Sequence, residues 1–457
     1  MGMGYMNNLP KGWTSCKLEE IVAYKKGTKP KILVEEKKKD FVPYIDIRAF
    51  EKNEIRQFAD IASSKISSKK DVLVVWDGAR CGLVGKGKDG AIGSTIMCLT
   101  PKCVSSEYIY FFLKTQYDEI NSNHKGTGIP HVKPEIFWNI EIPIAPITEQ
   151  HRIVAKLDKL LSKVETAKSR LDTIPQILKR FRQSVLSAAV SGELTKNWRE
   201  NNTNVESGKI IVEKIQKELN TESIISESTD EVDLPQNWFC AKLEAITDLI
   251  GKGSSPTWQG IKYTYKGVLF ITSENVGEGN ILLSNKKYLQ NEFNQIQKRT
   301  ILKKGDILTN LVGASIGRTA IYDIDEIANI NQAVCLIRLH ALIKNEFILH
   351  YFNSPKIIHA MEELKVDVAR ANLSLTDIRN FDIPVPPAEE QQEIVRRVEQ
   401  LFKFADQIEA RYNKAKQYTD KLTQSILAKA FRGELVPQDP NDEPADKLLE
   451  RIKINTQ

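Results

Sequence analysis

Ile142-Pro143-Ile144-Ala145-Pro146-Ile147-Thr148-Glu149-Gln150 returns 241 residues later (383 − 142 = 241) as Ile383-Pro384-Val385-Pro386-Pro387-Ala388-Glu389-Glu390-Gln391. Gln183-Ser184-Val185-Leu186 returns as Gln424-Ser425-Ile426-Leu427, and Gly192-Glu193-Leu194 as Gly433-Glu434-Leu435, at the same offset. Residues 142–194 therefore align without a gap, and 17 of those 53 positions are identical. Unrelated segments would share roughly 6%, about three positions. The chain is two copies of one unit and can present two similar surfaces related by approximate twofold symmetry.

Upstream the copies drift. Leu9-Pro10-Lys11-Gly12-Trp13 pairs with Leu234-Pro235-Gln236-Asn237-Trp238 at offset 225, and Asp71-Val72-Leu73, Gly78-Ala79 and Gly82 pair with Asp306-Ile307-Leu308, Gly313-Ala314 and Gly317 at 235. Loops have changed length in the first part of each copy but not in the second. In the variable parts, β-branched runs at 42–47, 72–76, 268–272 and 307–311 read as strands punctuated by glycines. Segments 104–115 and 342–352 read as short helices whose aromatics form core.

The constant parts are helical. Ile153, Leu157, Leu160, Val164, Ala167, Leu171, Ile174, Leu178, Phe181, Val185 and Ala188 step by 4,3,4,3. The second copy gives Ile394, Val398, Leu401, Ala405, Ile408, Tyr412, Ala415, Thr419, Leu422 and Ile426, where its seam is expected to end because the next step lands on Lys429. Sustained a/d heptads make a coiled-coil seam. Prolines 146 and 387 precede the helices, and Gly192 and Gly433 fall where a C-terminal cap belongs. Pro175 removes a backbone donor, so a break is expected near 171–175; its counterpart is Lys416, so the second helix should be straighter. A homodimeric coiled coil is one reading of such a seam. Two seams in one duplicated chain favour an intramolecular antiparallel pair.

The expected fold class is α+β: two similar mixed α/β domains (1–146 and 234–386) separated by two long antiparallel coiled-coil helices with pseudo-twofold symmetry. Residues 147–199 and 387–436 hold the spacer helices. Residues 200–233 form a linker with a short helix, and 437–457 a tail with another.

With 457 residues, 41% hydrophobic and 27% charged, the composition is that of a globular protein, and the net charge of +6 permits nucleic-acid binding without requiring it. Cysteines 16, 81, 98, 103, 240 and 335 form no Cys-x-x-Cys pair, and the six histidines give no i, i+4 ligand pair, so neither a metal site nor a disulfide frame is expected. No signal peptide and no membrane span are read, which points to the cytoplasm.

The order Leu-Pro-x-x-Trp, variable domain, Ile-Pro-x-x-Pro-x-x-Glu-Gln-x-x-Ile-Val, long heptad helix, Gln-Ser-x-Leu and Gly-Glu-Leu, all repeated, resembles the specificity subunit of type I restriction–modification enzymes. Residues 174–186, 387–395 and 422–427 carry the likeness most strongly. The resemblance implies two target-recognition domains, each reading half of a split site on double-stranded DNA. It also implies helices that act as a spacer and dock two methyltransferase (modification) subunits, with motor/nuclease (restriction) subunits separate and no cofactor or catalysis in this chain. No base-reading residue transfers by motif. A rod of roughly 65 Å spans one to two turns of DNA, whose major-groove faces recur every ~34–36 Å. Helix length is then expected to set the half-site gap, and removing one heptad from both helices tests this by whether the gap shifts.

Lysine and arginine on phosphates supply affinity, and polar side chains at base edges supply choice. Loop candidates in the first domain are Lys25, Lys26, Lys29, Lys31, Arg48, Arg80, Lys86, Lys88, Lys125, His131 and Lys133. The second offers Lys252, Ser254, Ser255, Lys262, Arg299, Arg318, Arg370 and Asn372. Arg80 lies inside the repeated Gly-Ala-x-x-Gly turn and Arg318 directly follows its second copy; a solvated surface group is the alternative for each. Residues 82–88 fit seven positions of a P-loop, but the eighth is Asp89, so the magnesium-binding hydroxyl is missing. Glu35-Glu36-Lys37 has no Pro-Asp partner, and no Asn-Pro-Pro-aromatic motif occurs. The rival function is a coiled-coil scaffold with twin protein-binding domains.

Overall fold

The computed structural model describes residues 9–123, 130–220, 234–364 and 372–454. It divides into two compact units: Met1–Asp172 with Tyr412–Gln457, and Thr173–Arg411.

In the first unit, strand Val22–Lys26 begins a four-stranded antiparallel sheet that continues through Ile96–Pro101, Val72–Val75 and Val84–Lys86. Strand side chains alternate between faces, and here each face has its own core. Val72, Val74, Met97 and Leu99 pack with helix Ser106–Thr115, while Leu73, Val75, Ile96 and Cys98 pack with Ile45, Phe50 and Ile92. That is why the Val72–Val75 run is wholly apolar: a sheet covered on both sides needs no polar face. Ile45 and Ile92 belong to a five-stranded sheet whose central strands, Phe41–Ile45 and Gly90–Ile92, are parallel. A third pairing joins Thr14–Lys17 to Glu141–Ile144.

The second unit repeats this plan. Strands Thr247–Lys252, Val334–Leu339, Ile307–Asn310 and Thr319–Ile321 form the four-stranded sheet. Val268–Ile271 and Ala328–Ile330 are its parallel pair, and Phe239–Lys242 joins Asp382–Val385. Ile307, Cys335 and Ile337 face one core, Leu308, Val334 and Leu336 the other. The short helices Ser106–Thr115 and Asn345–Phe352 bury Tyr108, Phe111, Phe112, Phe347 and Phe352, so their aromatics are core.

The repeated motifs meet in space. Trp13 and Trp238 each close a turn by donating a backbone N–H to Pro10 and Pro235 at 3.1 Å. Gly12 and Asn237 hold the positive φ those turns need, +83° and +69°, and glycine and asparagine are the residues that tolerate it. Each indole then donates to the glutamate of the second motif: Trp13 to Glu149 at 3.0 Å, Trp238 to Glu390 at 2.9 Å.

Helix Ile147–Leu171 ends at Asp172, and the next, Ile174–Val190, carries Pro175 in its first turn, where a missing N–H costs nothing. The expected break is present, and Ala388–Phe431 runs 44 residues uninterrupted. Within the first unit Lys168 bridges Asp420 at 3.0 Å, and Leu157 shares a core with Leu427. Within the second, Arg182 bridges Asp406 and Glu409 at 2.9 Å, and Arg397 donates to the Leu194 carbonyl at 2.7 Å. In both, partners rise on one helix as they fall on the other, so the pairing is antiparallel and within one chain.

The seam departs from strict heptads at three points, one of them the end of helix Ile174–Val190, where burial moves from Ala188 to Leu186, Ala189 and Val190. Ala167 is exposed, with Lys168 turned inward instead. Burial also does not end at Ile426 but shifts to Leu427, Ala430 and Phe431, because a helix of 3.6 residues per turn drifts about 20° per heptad. Ile153, Leu157, Leu178, Ile394 and Val398 are buried; Leu160, Leu171, Leu401, Ile408 and Leu422 are half-buried.

Each unit is closed by a short amphipathic helix. Ala445, Leu448 and Ile452 of Ala445–Ile454 enter the core around Trp13, and Ile211, Val212 and Ile215 of Gly208–Leu219 enter the core around Trp238. Burying a Leu or Ile side chain contributes about 1.5–3 kcal/mol.

Candidate nucleic-acid interface

In the first unit, strand Val72–Val75 runs into the turn at 76–82. Gly78 and Gly82 hold φ of +109° and +90°, and a Cβ on Gly82 would meet Ile120 at 2.7 Å. The turn is clamped: Gly82 N–H donates to the Val75 carbonyl at 2.8 Å, and Val132 N–H to the Trp76 carbonyl at 3.0 Å. Asp77 and His131 form a β-bridge, and the Asp77 carboxylate meets His131 Nδ1 at 2.7 Å and Lys26 Nζ at 2.8 Å. Beside it opens a cleft of about 700 Å³ lined by Tyr44, Asp46, Arg48, Glu51, Arg80 and Thr95, among others. Arg80 is exposed and ion-paired with Glu51.

The second unit builds the same device from different residues. Gly317 N–H donates to the Asn310 carbonyl at 3.0 Å, Leu373 N–H to the Leu311 carbonyl at 2.9 Å, and Val312 bridges Asn372. Gly313 and Gly317 repeat the positive φ. Arg318 is exposed, and among the described residues no hydrogen bond or ion pair holds its side chain.

The structure thus gathers Lys26, Arg48, Arg80 and His131 around the first turn, and Arg318 and Asn372 around the second. Lys29 and Lys31 are exposed in the loop after Gly27, which abuts the Gly93 carbonyl at the cleft edge. Lys25 is exposed on strand Val22–Lys26, and Lys133 is half-buried before helix Pro134–Phe137. Lys252 and Lys262 are exposed, as is Arg299 in the turn Lys298–Thr300; Ser255 is half-buried, and Ser254 accepts from Gln259 Nε2 at 2.9 Å.

Two lysines point elsewhere. Lys86 bridges Asp158 at 3.2 Å and lies over the Tyr110 and Phe111 rings. Lys88 turns inward onto the Ala49 and Phe50 carbonyls, and burial lowers its pKa. Lys125 and Arg370 lie outside the described residues. The P-loop-like stretch forms strand Val84–Lys86, with no helix start to hold a phosphate. Tyr44, Asp46 and Thr95 escaped the sequence reading because strand pairing, not sequence spacing, brings them to the cleft.

The model of the type I restriction modification DNA specificity domain matches residues 10–176 and again 235–417. The chain belongs to this family. It is 35% identical over 394 residues to the EcoBI specificity subunit of Escherichia coli, covering 80% of this chain and 78% of that one. It is 32% identical to the EcoKI specificity subunit of Escherichia coli (strain K12), covering 97% and 96%. Among solved structures, the HsdS subunit of Thermoanaerobacter tengcongensis superposes with a TM-score of 0.59 at 20% identity, over 95% of this chain and all of that one. A chain of another type I R-M system gives 0.67 at 19%, over 93% and 99%. These last two are likenesses of fold. Each family match includes one clamped turn and its bridge.

Proposed function

We propose that this chain is the sequence-reading subunit of a type I restriction–modification complex and that the turns at 76–82 and 312–318 each read one half of a split target on duplex DNA. One observation carries the proposal: the two turns share backbone bonds, glycine conformations and bridge positions, yet differ in the side chains they offer. Asp77, Arg80 and His131 stand in one; Val312, Ser315 and Asn372 stand in the other. A common scaffold with divergent side chains is what two half-sites of different sequence require, because base edges are told apart by donor and acceptor pattern. Residues 1–146 and 234–386 are then the target-recognition domains, and the long helices are the spacer on which two methyltransferase subunits dock. Motor/nuclease subunits join the same complex, and catalysis resides in those partners. The complex works in the cytoplasm.

Binding of the complex, assembled with its methyltransferase subunits, to duplex DNA over a salt series tests this. Affinity should fall steeply and linearly with log salt and depend on sequence. Salt-independent or sequence-blind binding would favour the protein-scaffold reading.

A further inference from the structure

The turns leave one strip of the second unit unexplained. Three large aromatics stand in solvent within residues 257–265: Trp258 is 78% exposed, Tyr263 57%, and Tyr265 wholly. Such rings usually bury 150–250 Å² each, so three left uncovered within nine residues point to a contact surface. Lys262 and Lys266 alternate with them, and no acidic residue occurs between Asp248 and Glu274. The corresponding stretch of the first unit, around strand Leu33–Val34, contains no aromatic from Lys29 to Asp40.

The strip is held in place. Gly253 lies against the Ile330 carbonyl so closely that a Cβ would fall 1.8 Å from it. Ile261 N–H closes back on the Pro256 carbonyl at 3.0 Å, and Gln259 on Ser254 at 2.9 Å. These bonds fix the base of the Trp258 loop at the ends of strands Val268–Ile271 and Ala328–Ile330. At the same edge Asn310 donates to the Ser273 carbonyl at 2.9 Å, one residue before the loop that holds the 312–318 turn. The Tyr263 ring is steadied by an edge contact with Phe270 at 6.2 Å.

We infer that residues 257–266 form an aromatic–basic arm that packs on duplex DNA beside the base pairs read by the 312–318 turn. The Trp258 indole lies on sugars and base edges, and Lys262 and Lys266 meet phosphates. Apolar rings interleaved with cations and free of acids fit a duplex, which offers sugar and base-edge surface between rows of phosphates. The inference rests on the DNA-reading function proposed above.

The test uses the complex of this chain with its methyltransferase subunits and a duplex carrying the sequence it methylates in cells. Trp258→Ala should weaken binding about tenfold with an unchanged salt slope, since it removes buried apolar surface and no charge, and Trp258→Phe should restore most of the loss. Lys262→Ala and Lys266→Ala should each lower the salt slope by about one. Trp258 is exposed, so melting temperatures should not move. Unchanged affinity in Trp258→Ala overturns the arm. So does loss of the methyltransferase subunits with normal DNA affinity in whatever complex still assembles, since the strip would then be a protein contact. A wild-type complex that ignores duplex DNA sinks the DNA-reading function itself.

Discussion

The indole N–H of Trp238 donates to Glu390 Oε2 across 152 residues, and the other carboxylate oxygen is held by Thr195 Oγ1 at 2.7 Å and Arg199 Nε at 3.2 Å. In the first unit Trp13 makes the same bond to Glu149, but at the 241 offset Val436 replaces Thr195 and Pro440 replaces Arg199. Among the described residues Glu149 Oε1 has no hydrogen-bond partner, and burial raises the pKa of its carboxyl. The two copies keep one architectural bond and differ in how its charge is balanced.

Glutamine substitutions should therefore act in opposite directions. Glu149→Gln keeps an acceptor for Trp13 and removes a buried charge whose desolvation outweighs the pull of Arg152, so stability at pH 7 should hold or rise. Glu390→Gln loses a charge-assisted bond to Arg199 and should cost about 1.5–3 kcal/mol. Chemical denaturation of both variants measures the contrast.

The two units should also answer acid differently. Glu149 binds its proton more tightly folded than unfolded, so its contribution is lost as pH rises from the ordinary 4.5 through the raised value. His350, in the second unit, is lowered by burial from 6.5 to about 4. Its folded form resists protonation, so the stability it contributes is present above 6.5 and lost as pH falls toward 4, by roughly 3 kcal/mol in full. As pH falls from 6.5 to 4 the stability of His350→Phe should rise relative to wild type by about that amount, because the variant has no imidazole to protonate; a pH-independent difference contradicts the assignment.

The C-terminal helix belongs to the core of the first unit. Leu448→Ala and Ile452→Ala should each cost about 2–5 kcal/mol. Hydrogen exchange should speed up around Trp13 and Tyr108, which share that core, and not around Trp238. Equal acceleration in both units would contradict this.

Among the cations, Arg318 and Lys88 should separate cleanly. Arg318→Ala should relax one position of one half-site by about 1–3 kcal/mol if the guanidinium reads a base. Uniform weakening on every sequence makes it a phosphate contact. Lys88→Met should leave the salt slope of DNA binding unchanged, because its ammonium is spent on the Ala49 and Phe50 carbonyls.

What the sequence disclosed, and what it withheld, follows from the range of the forces involved. The duplication, the heptad seams, the break before Pro175 and the glycine turns are local patterns set by helix period, φ preference and a missing N–H, and each is visible in a short window. The clamped partners of the turns also had a signal, since His131 and Asn372 share the 241 offset. The inward course of Lys88, the Asp158 bridge of Lys86 and the cleft beside Arg80 were hidden, because they depend on which strands pair and in which register. Trp258 was hidden for another reason: an exposed tryptophan and a buried one look alike until the loop is folded.

Methylome sequencing of cells that express this chain with its partner subunits tests the central claim most directly, wild type beside a variant with the 312–318 turn replaced. The wild type should mark one motif made of two parts separated by unspecified bases, and the variant should lose or change one part while keeping the other. A continuous motif, or two parts that fail together, would contradict two turns reading two half-sites.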